Sequence, residues 1–166
     1  LKRKLEREGI QQRLDQANGI GTGHIQTIPG RRPGLYMIRQ KEGDRHFTYW
    51  RENSAARLLA EDVGALAAAF EGADLIYFSG ITLAILLPRA RGRLLKAIVT
   101  ARNAGAKIAF DPNARPALWR SLPIMGSATT VAATLSDIVL PTFADEKIVF
   151  GDADPLGKPL THYSTD

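Results

Sequence analysis

Three short clusters hold the residue types that do chemistry. In Asp111-Pro112-Asn113-Ala114-Arg115, a carboxylate, an amide and a guanidinium alternate, with Pro116 next in the chain. Proline fixes φ, so Pro112 and Pro116 stiffen the turn. The planar fork of Arg115 donates two parallel hydrogen bonds, which suits a phosphate or a carboxylate. The bland alternative is local: Asp111 and Asn113 cap backbone donors and Arg115 pairs with a surface acid. The residues alone leave both readings open. Asp145 and Glu146 are adjacent carboxylates that suit a hydrated magnesium ion or, equally, the positive end of a helix dipole. The third cluster is Arg45-His46-Phe47-Thr48-Tyr49-Trp50-Arg51, with Leu35-Tyr36-Met37-Ile38-Arg39 before it. Alternation puts Tyr49 and Arg51 on one face of a strand and Trp50 on the other, with Tyr36 close by on the partner strand. Such aromatics serve either a ligand or plain sheet packing.

Other chemistries are excluded or weak. The chain has 166 residues and no cysteine, so disulfides, thiolate zinc sites and cysteine nucleophiles are ruled out. Gly19-Ile20-Gly21-Thr22-Gly23-His24 puts a histidine where a dinucleotide fingerprint needs its last glycine, and no strong strand precedes it. His24 has no second ligand at metal spacing. The net charge of +5, from 22 Lys+Arg against 17 Asp+Glu, suits an anionic ligand. Nucleic acid is not expected, because no dense basic stripe with interleaved aromatics appears. The one basic cluster, Lys2, Arg3, Lys4, Arg7 and Arg13, is diluted by Glu6, Glu8 and Asp15. The richest apolar runs, Val63–Phe70 and Ile81–Leu87, fall far short of the roughly 18 residues that span a bilayer. Leu1–Arg13 alternates charges instead of building a secretory core. The expectation is a soluble cytoplasmic protein with no membrane partner.

The elements that must position these clusters follow from periodicity. Leu1–Ala17 reads as a short surface helix, and Asn18–Gly34 as loops punctuated by Gly and Pro. The runs on either side of Glu42-Gly43-Asp44 read as a β-hairpin. Beyond Ser54, a candidate N-cap, Leu59, Val63, Leu66 and Phe70 mark one face of a helix, weakened at Gly64. Ala73–Ser79 is nearly continuous apolar, as in a strand buried on both faces, and Gly80-Ile81-Thr82 reads as a turn. Pro88 opens a helix with Leu94, Leu95, Ile98 and Val99 inward, and Gly105 stops it. Lys107–Phe110 is a strand, Trp119–Leu135 holds a helix, Asp137–Leu140 is a third strand and Phe143–Phe150 a short helix. The pattern β-α-β-α-β predicts a parallel sheet with right-handed crossovers. Ligands of such sheets sit beyond the carboxyl ends of the strands. There lie Ser79-Gly80-Ile81, Asp111–Arg115 and Pro141-Thr142.

Taken together, Tyr49–Ala56, Phe78–Thr82, Asp111–Trp119 and Asp137–Glu146, with Gly30–Tyr36, resemble the 2-keto-3-deoxygluconate kinases of the ribokinase-like (PfkB) carbohydrate kinase family. The resemblance runs from about Gly19 to Asp154. It implies an α/β, ribokinase-like fold: a parallel β-α-β core over 73–150 and a small β lid hairpin over 35–51, in one partial domain spanning 1–166. It implies a kinase that uses ATP and Mg2+ to convert 2-keto-3-deoxygluconate, a small sugar acid, to its 6-phosphate. Tyr36, Tyr49 and Arg51 would contact the sugar acid, with Arg51 near its carboxylate, and Ile81 would line the pocket. Asn113 and Arg115 would face the nucleotide phosphates, Arg115 also facing the transferred group as the catalytic residue. Thr142, Asp145 and Glu146 occupy the place of the family's Asn-x-x-Glu motif, without its Asn, and make Asp145 and Glu146 the magnesium candidates. The family's Gly-Gly substrate loop and its Gly-Ala-Gly-Asp motif, which supplies the base and anion hole, have no counterpart here. The expectation is therefore an internal fragment, a catalytically incomplete kinase. The alternative is a non-catalytic sugar-binding or assembly module. An open sheet edge implies marginal stability, and the lid implies homo-oligomers.

Overall fold

A computed structural model describes residues 17–41 and 43–151. The basic cluster at 2–13, the expected helix over 1–17 but for its last residue, and the polar stretch 152–166 lie outside the described residues.

Aromatic and β-branched residues pair first as a hairpin. Strands β1 (Leu35–Lys41) and β2 (Asp44–Trp50) run antiparallel in a register from Leu35↔Trp50 to Lys41↔Asp44. Gly43 takes the positive φ, 88°, that so tight a return requires. Residues directly opposite share a face. One face therefore carries Leu35, Met37 and Trp50, and the other Tyr36, Ile38, Phe47 and Tyr49. All of these are exposed.

The second sheet is parallel, as its crossovers require. Its strands are β3 (Leu75–Ser79), β4 (Lys107–Asp111) and β5 (Ile138–Val139), in the order β3-β4-β5. The helices are α1 (Val63–Phe70), α2 (Gly80–Ile85), α3 (Pro88–Asn103), α4 (Leu122–Thr134) and α5 (Phe143–Phe150). One sheet face supplies Ile76, Phe78, Ile108 and Phe110 to a core completed by Leu66 of α1, Leu94 and Ile98 of α3, and Ala132 of α4. The Phe78 and Phe110 rings meet at 4.9 Å. Each large side chain buried there stabilises the fold by about 1.5–3 kcal/mol.

Several expectations are corrected. Strand β3 is not buried on both faces: it alternates, with Leu75 and Tyr77 exposed, because the core helices pack on the other side. The helix expected from Ser54 is split into a 3-10 turn at Ala55–Leu58 and α1. Asp62 causes the break, not Gly64: its side chain accepts from Ala65 N at 2.9 Å and caps a new helix. Ser54 makes no side-chain cap; its backbone bridges to Arg32. Gly80-Ile81-Thr82 is not a turn but the start of α2. On α3 the inward residues are Ala90, Leu94, Ile98 and Ala101, while Leu95 and Val99 flank them half-buried. The third strand shrinks to Ile138–Val139, since Asp137 spends its carboxylate on the Ile108 amide (2.9 Å) and on Arg102 (3.2 Å).

Candidate active site

Two clusters form, one at the carboxyl end of the parallel sheet and one at the mouth of the hairpin. In the first, Ser79 of β3 lies in register with Asp111 of β4, so α2 and the loop after β4 start side by side. They touch through backbone: a Cβ built on Gly80 would lie 2.0 Å from the Pro112 carbonyl oxygen. Only glycine fits that approach. Asp111 then organises its own loop. One carboxylate oxygen accepts from Asn113 N at 3.0 Å and the other from the Tyr77 hydroxyl at 3.1 Å. The hydrogen bond to Asp111, with some desolvation and the carboxylate's charge, raises the Tyr77 phenol above its ordinary pKa.

Asn113 adopts φ 37°, in the left-handed region that asparagine tolerates better than most residues. Next to it, Ala114 N donates to Asp145 Oδ1 at 2.6 Å. The other oxygen of Asp145 takes Thr142 N (3.1 Å) and Thr142 Oγ1 (2.7 Å), and Asp145 N returns a bond to Thr142 Oγ1 at 3.2 Å. This is a capping box on α5. Asp145 is thus a buried pin, 5% exposed, between two strand-end segments. Glu146 beside it is equally buried, at 6% exposed. Arg115 is exposed; its Nη1 donates to Ala114 O at 2.8 Å and it pairs with no acid among the described residues. Asp111 does the local work of the bland reading, and the surface acid expected for Arg115 is not found among the described residues.

The second cluster is a cleft of about 670 Å³ lined by Arg32, Leu35, Tyr49, Trp50 and Arg51, with Glu52, Asn53 and Ser54 at its rim. The Arg51 guanidinium lies 4.2 Å over the Tyr49 ring, a cation–π stack that fixes its plane. Phe47 stacks on Tyr49 at 6.0 Å, and Tyr36 sits opposite Tyr49 with ring centroids 6.3 Å apart. The segment before β1 closes the cleft: Ala55 N donates to Arg32 O at 2.9 Å and Arg31 Nη1 to Asn53 Oδ1 at 3.3 Å. Guanidinium groups beside flat rings suit a small anion with an apolar face.

Tyr49 and Arg51 therefore line one cleft, with Tyr36 adjoining. Asn113, Arg115, Asp145 and Glu146 gather at the sheet end, and Ile81 lies half-buried in the first turn of α2. None of these five lines the cleft. Among the described residues no three acids or histidines form a metal cage. Both oxygens of Asp145 are engaged, and Glu146 is buried beside it. Sequence reasoning placed Gly80 at a strand end but missed its contact with Pro112, and it passed over Tyr77. A glycine directly after a strand, with an Asp-Pro at the end of the next one, is the signal for the first. Nothing in the sequence marks the second.

Comparison with known proteins agrees with this geometry. The model of the pfkB family carbohydrate kinases matches residues 8–161. The chain is 38% identical over 140 residues to a 2-dehydro-3-deoxygluconokinase of Dickeya dadantii, covering 82% of this chain and 45% of that protein. It is 37% identical over 146 residues to the 2-dehydro-3-deoxygluconokinase of Escherichia coli K12, covering 85% and 47%. The crystal structure of a PfkB protein from Polaromonas sp. JS666 superposes with a TM-score of 0.73 at 28% identity, over 89% of this chain and 50% of that one. The chain spans about half the length of the curated relatives it matches. With the family model matched over most of its length, the chain belongs to the pfkB family of carbohydrate kinases.

Proposed function

We propose that this chain carries the sugar-acid-binding and phosphate-facing elements of a cytoplasmic ATP-dependent kinase acting on 2-keto-3-deoxygluconate. The observation that carries the reading is the Arg51–Tyr49 stack at the mouth of the hairpin, in a member of this family. Arg51 binds the sugar carboxylate through its fork, and Tyr36 and Tyr49 hold the sugar's apolar face. Ile81, in the first turn of α2 and outside the cleft lining, is assigned to the sugar by the resemblance alone. Arg115 donates to the oxygens of the transferred phosphoryl group, where charge must be stabilised, and Asn113 assists on the nucleotide phosphates. Asp145 positions this loop by holding Ala114 N, and Glu146 would help hold a hydrated magnesium ion when one is bound. Bound ATP supplies the phosphoryl group, and Mg2+ neutralises its charge. Residues 35–51 act as the lid and 73–150 as the core, and the outer hairpin face pairs with a second copy.

The residues assigned here to the phosphates, Asn113 and Arg115, include no general base, so transfer by this chain is slow. Incubation with Mg-ATP and 2-keto-3-deoxygluconate, followed by mass spectrometry, tests this. The expected result is a trace of the 6-phosphate that vanishes in Arg115→Ala. Product that persists in Arg115→Ala refutes the role of Arg115. Phosphorylation of fructose but not of the sugar acid refutes the substrate. Sugar binding without any product favours the second reading, a non-catalytic sugar-binding or assembly module.

A further inference from the structure

We infer that Arg91 is a positioning residue that locks α2, on the sugar side, to the loop 111–119, on the phosphate side. Helix α2 is short, and its last carbonyls have no partners within the helix. Arg91, in the first turn of α3, reaches back to them. Its Nε donates to Leu83 O at 2.9 Å and its Nη2 to Leu86 O at 3.3 Å. Its guanidinium lies 4.6 Å from the centre of the Trp119 ring. Trp119 ends the 3-10 turn Pro116–Leu118, and Arg115 is the residue that begins that turn. A single planar group therefore touches the helix that carries Ile81 and the loop that carries Asn113 and Arg115. The group is half-buried, and burial lowers its pKa.

At their start the two segments meet through the Gly80–Pro112 backbone contact, which fixes a distance but not an angle. Arg91 supplies a second point of attachment further along both. A lysine cannot replace it: an ammonium has no plane to stack while it bonds two carbonyls. What the two segments bind rests on the kinase reading above; the clamp itself does not.

Hydrogen exchange followed by mass spectrometry on the full chain tests the inference. Without ligand, Arg91→Lys should speed exchange about tenfold both in Gly80–Leu86 and in 113–119, since it loses charge-assisted bonds and a stack together. Arg89→Lys, at the exposed neighbouring position, should change neither. Added 2-keto-3-deoxygluconate should slow exchange in both segments of the unsubstituted chain, but only in Gly80–Leu86 of Arg91→Lys. Loosening confined to one segment, or sugar-induced protection of 113–119 that survives in Arg91→Lys, overturns the inference. If Arg91→Lys does not fold, Trp119→Phe decides. It keeps the apolar packing and weakens the stack, and should loosen the same two segments; loosening of 113–119 alone overturns the clamp. Sugar that protects neither segment of the unsubstituted chain refutes the kinase reading, while the ligand-free comparison still decides the clamp.

Discussion

Replacing Gly80 by alanine inserts a methyl group where two pieces of backbone meet. The new carbon would lie 2.0 Å from the Pro112 carbonyl oxygen and 3.0 Å from the carbonyl carbon. An ordinary contact is about 3.5 Å, so the neighbours must part by roughly 1.5 Å. No side chain can rotate away to relieve this, because both atoms are main chain. Their strands are tied in register at Ser79↔Asp111. Overpacking typically costs 1–3 kcal/mol, and a backbone obstacle puts this case at about 3 kcal/mol. Alanine returns about 1 kcal/mol through helix propensity. The net loss is about 2 kcal/mol, or about 4–8 °C in Tm for a chain of this size. Thermal melts by circular dichroism measure it. Gly92→Ala, on α3, is the control: its Cβ meets nothing within 4 Å, so it should stabilise the fold by up to about 1 kcal/mol. Gly80→Ala melting at or above the parent, or behaving like Gly92→Ala, would refute the contact and the placement of the Asn113–Arg115 loop against α2.

Thr142→Ala removes the cap of α5 and should cost about 1 kcal/mol in urea unfolding. Asp145→Ala should cost about 3 kcal/mol, because it also leaves Ala114 N buried without its acceptor. Asp137 is held below the usual carboxylate range by the Ile108 amide first and by Arg102 and Lys107, against some desolvation. A depressed folded pKa means that its stabilisation is present above the unfolded value of about 4 and is lost as pH falls through the folded one. Asp137→Asn should therefore flatten the acid limb of a Tm-against-pH curve; an unchanged limb would contradict the assignment. Met37→Glu, on the exposed hairpin face opposite Tyr36 and Tyr49, should shift sedimentation velocity profiles toward monomer if that face pairs two copies.

Legibility in the sequence depended on whether local chemistry or tertiary contact decided the outcome. The hairpin, the parallel sheet, α3 and α5 follow from periodicity and punctuation: alternating aromatics around Gly43, Pro88 before α3, Pro141 before α5. The break before α1 was not legible. Asp62 and Ser54 are both good caps, and the backbone bridge from Ser54 to Arg32 decided between them. The start of α2 was misread because Gly80 looks like a turn residue; its small size serves Pro112 instead. In the site, Tyr49 beside Arg51 was readable from alternation. Asp145 as a pin was not, since its partner Ala114 N lies 31 residues away. Nor was the clamp, for the same reason: Arg91 and Trp119 become neighbours only after the crossover forms.

The central claim is that the hairpin cleft recognises a sugar acid through Arg51. Isothermal titration of the chain with 2-keto-3-deoxygluconate, beside 2-deoxyglucose as a neutral sugar, measures this directly. The account expects binding of the acid only, weakened by tenfold or more in Arg51→Ala, as roughly 1.5–3 kcal/mol for a charged hydrogen bond implies. Equal affinity for the two sugars, or an Arg51→Ala chain that binds the acid as well as the parent, would contradict it.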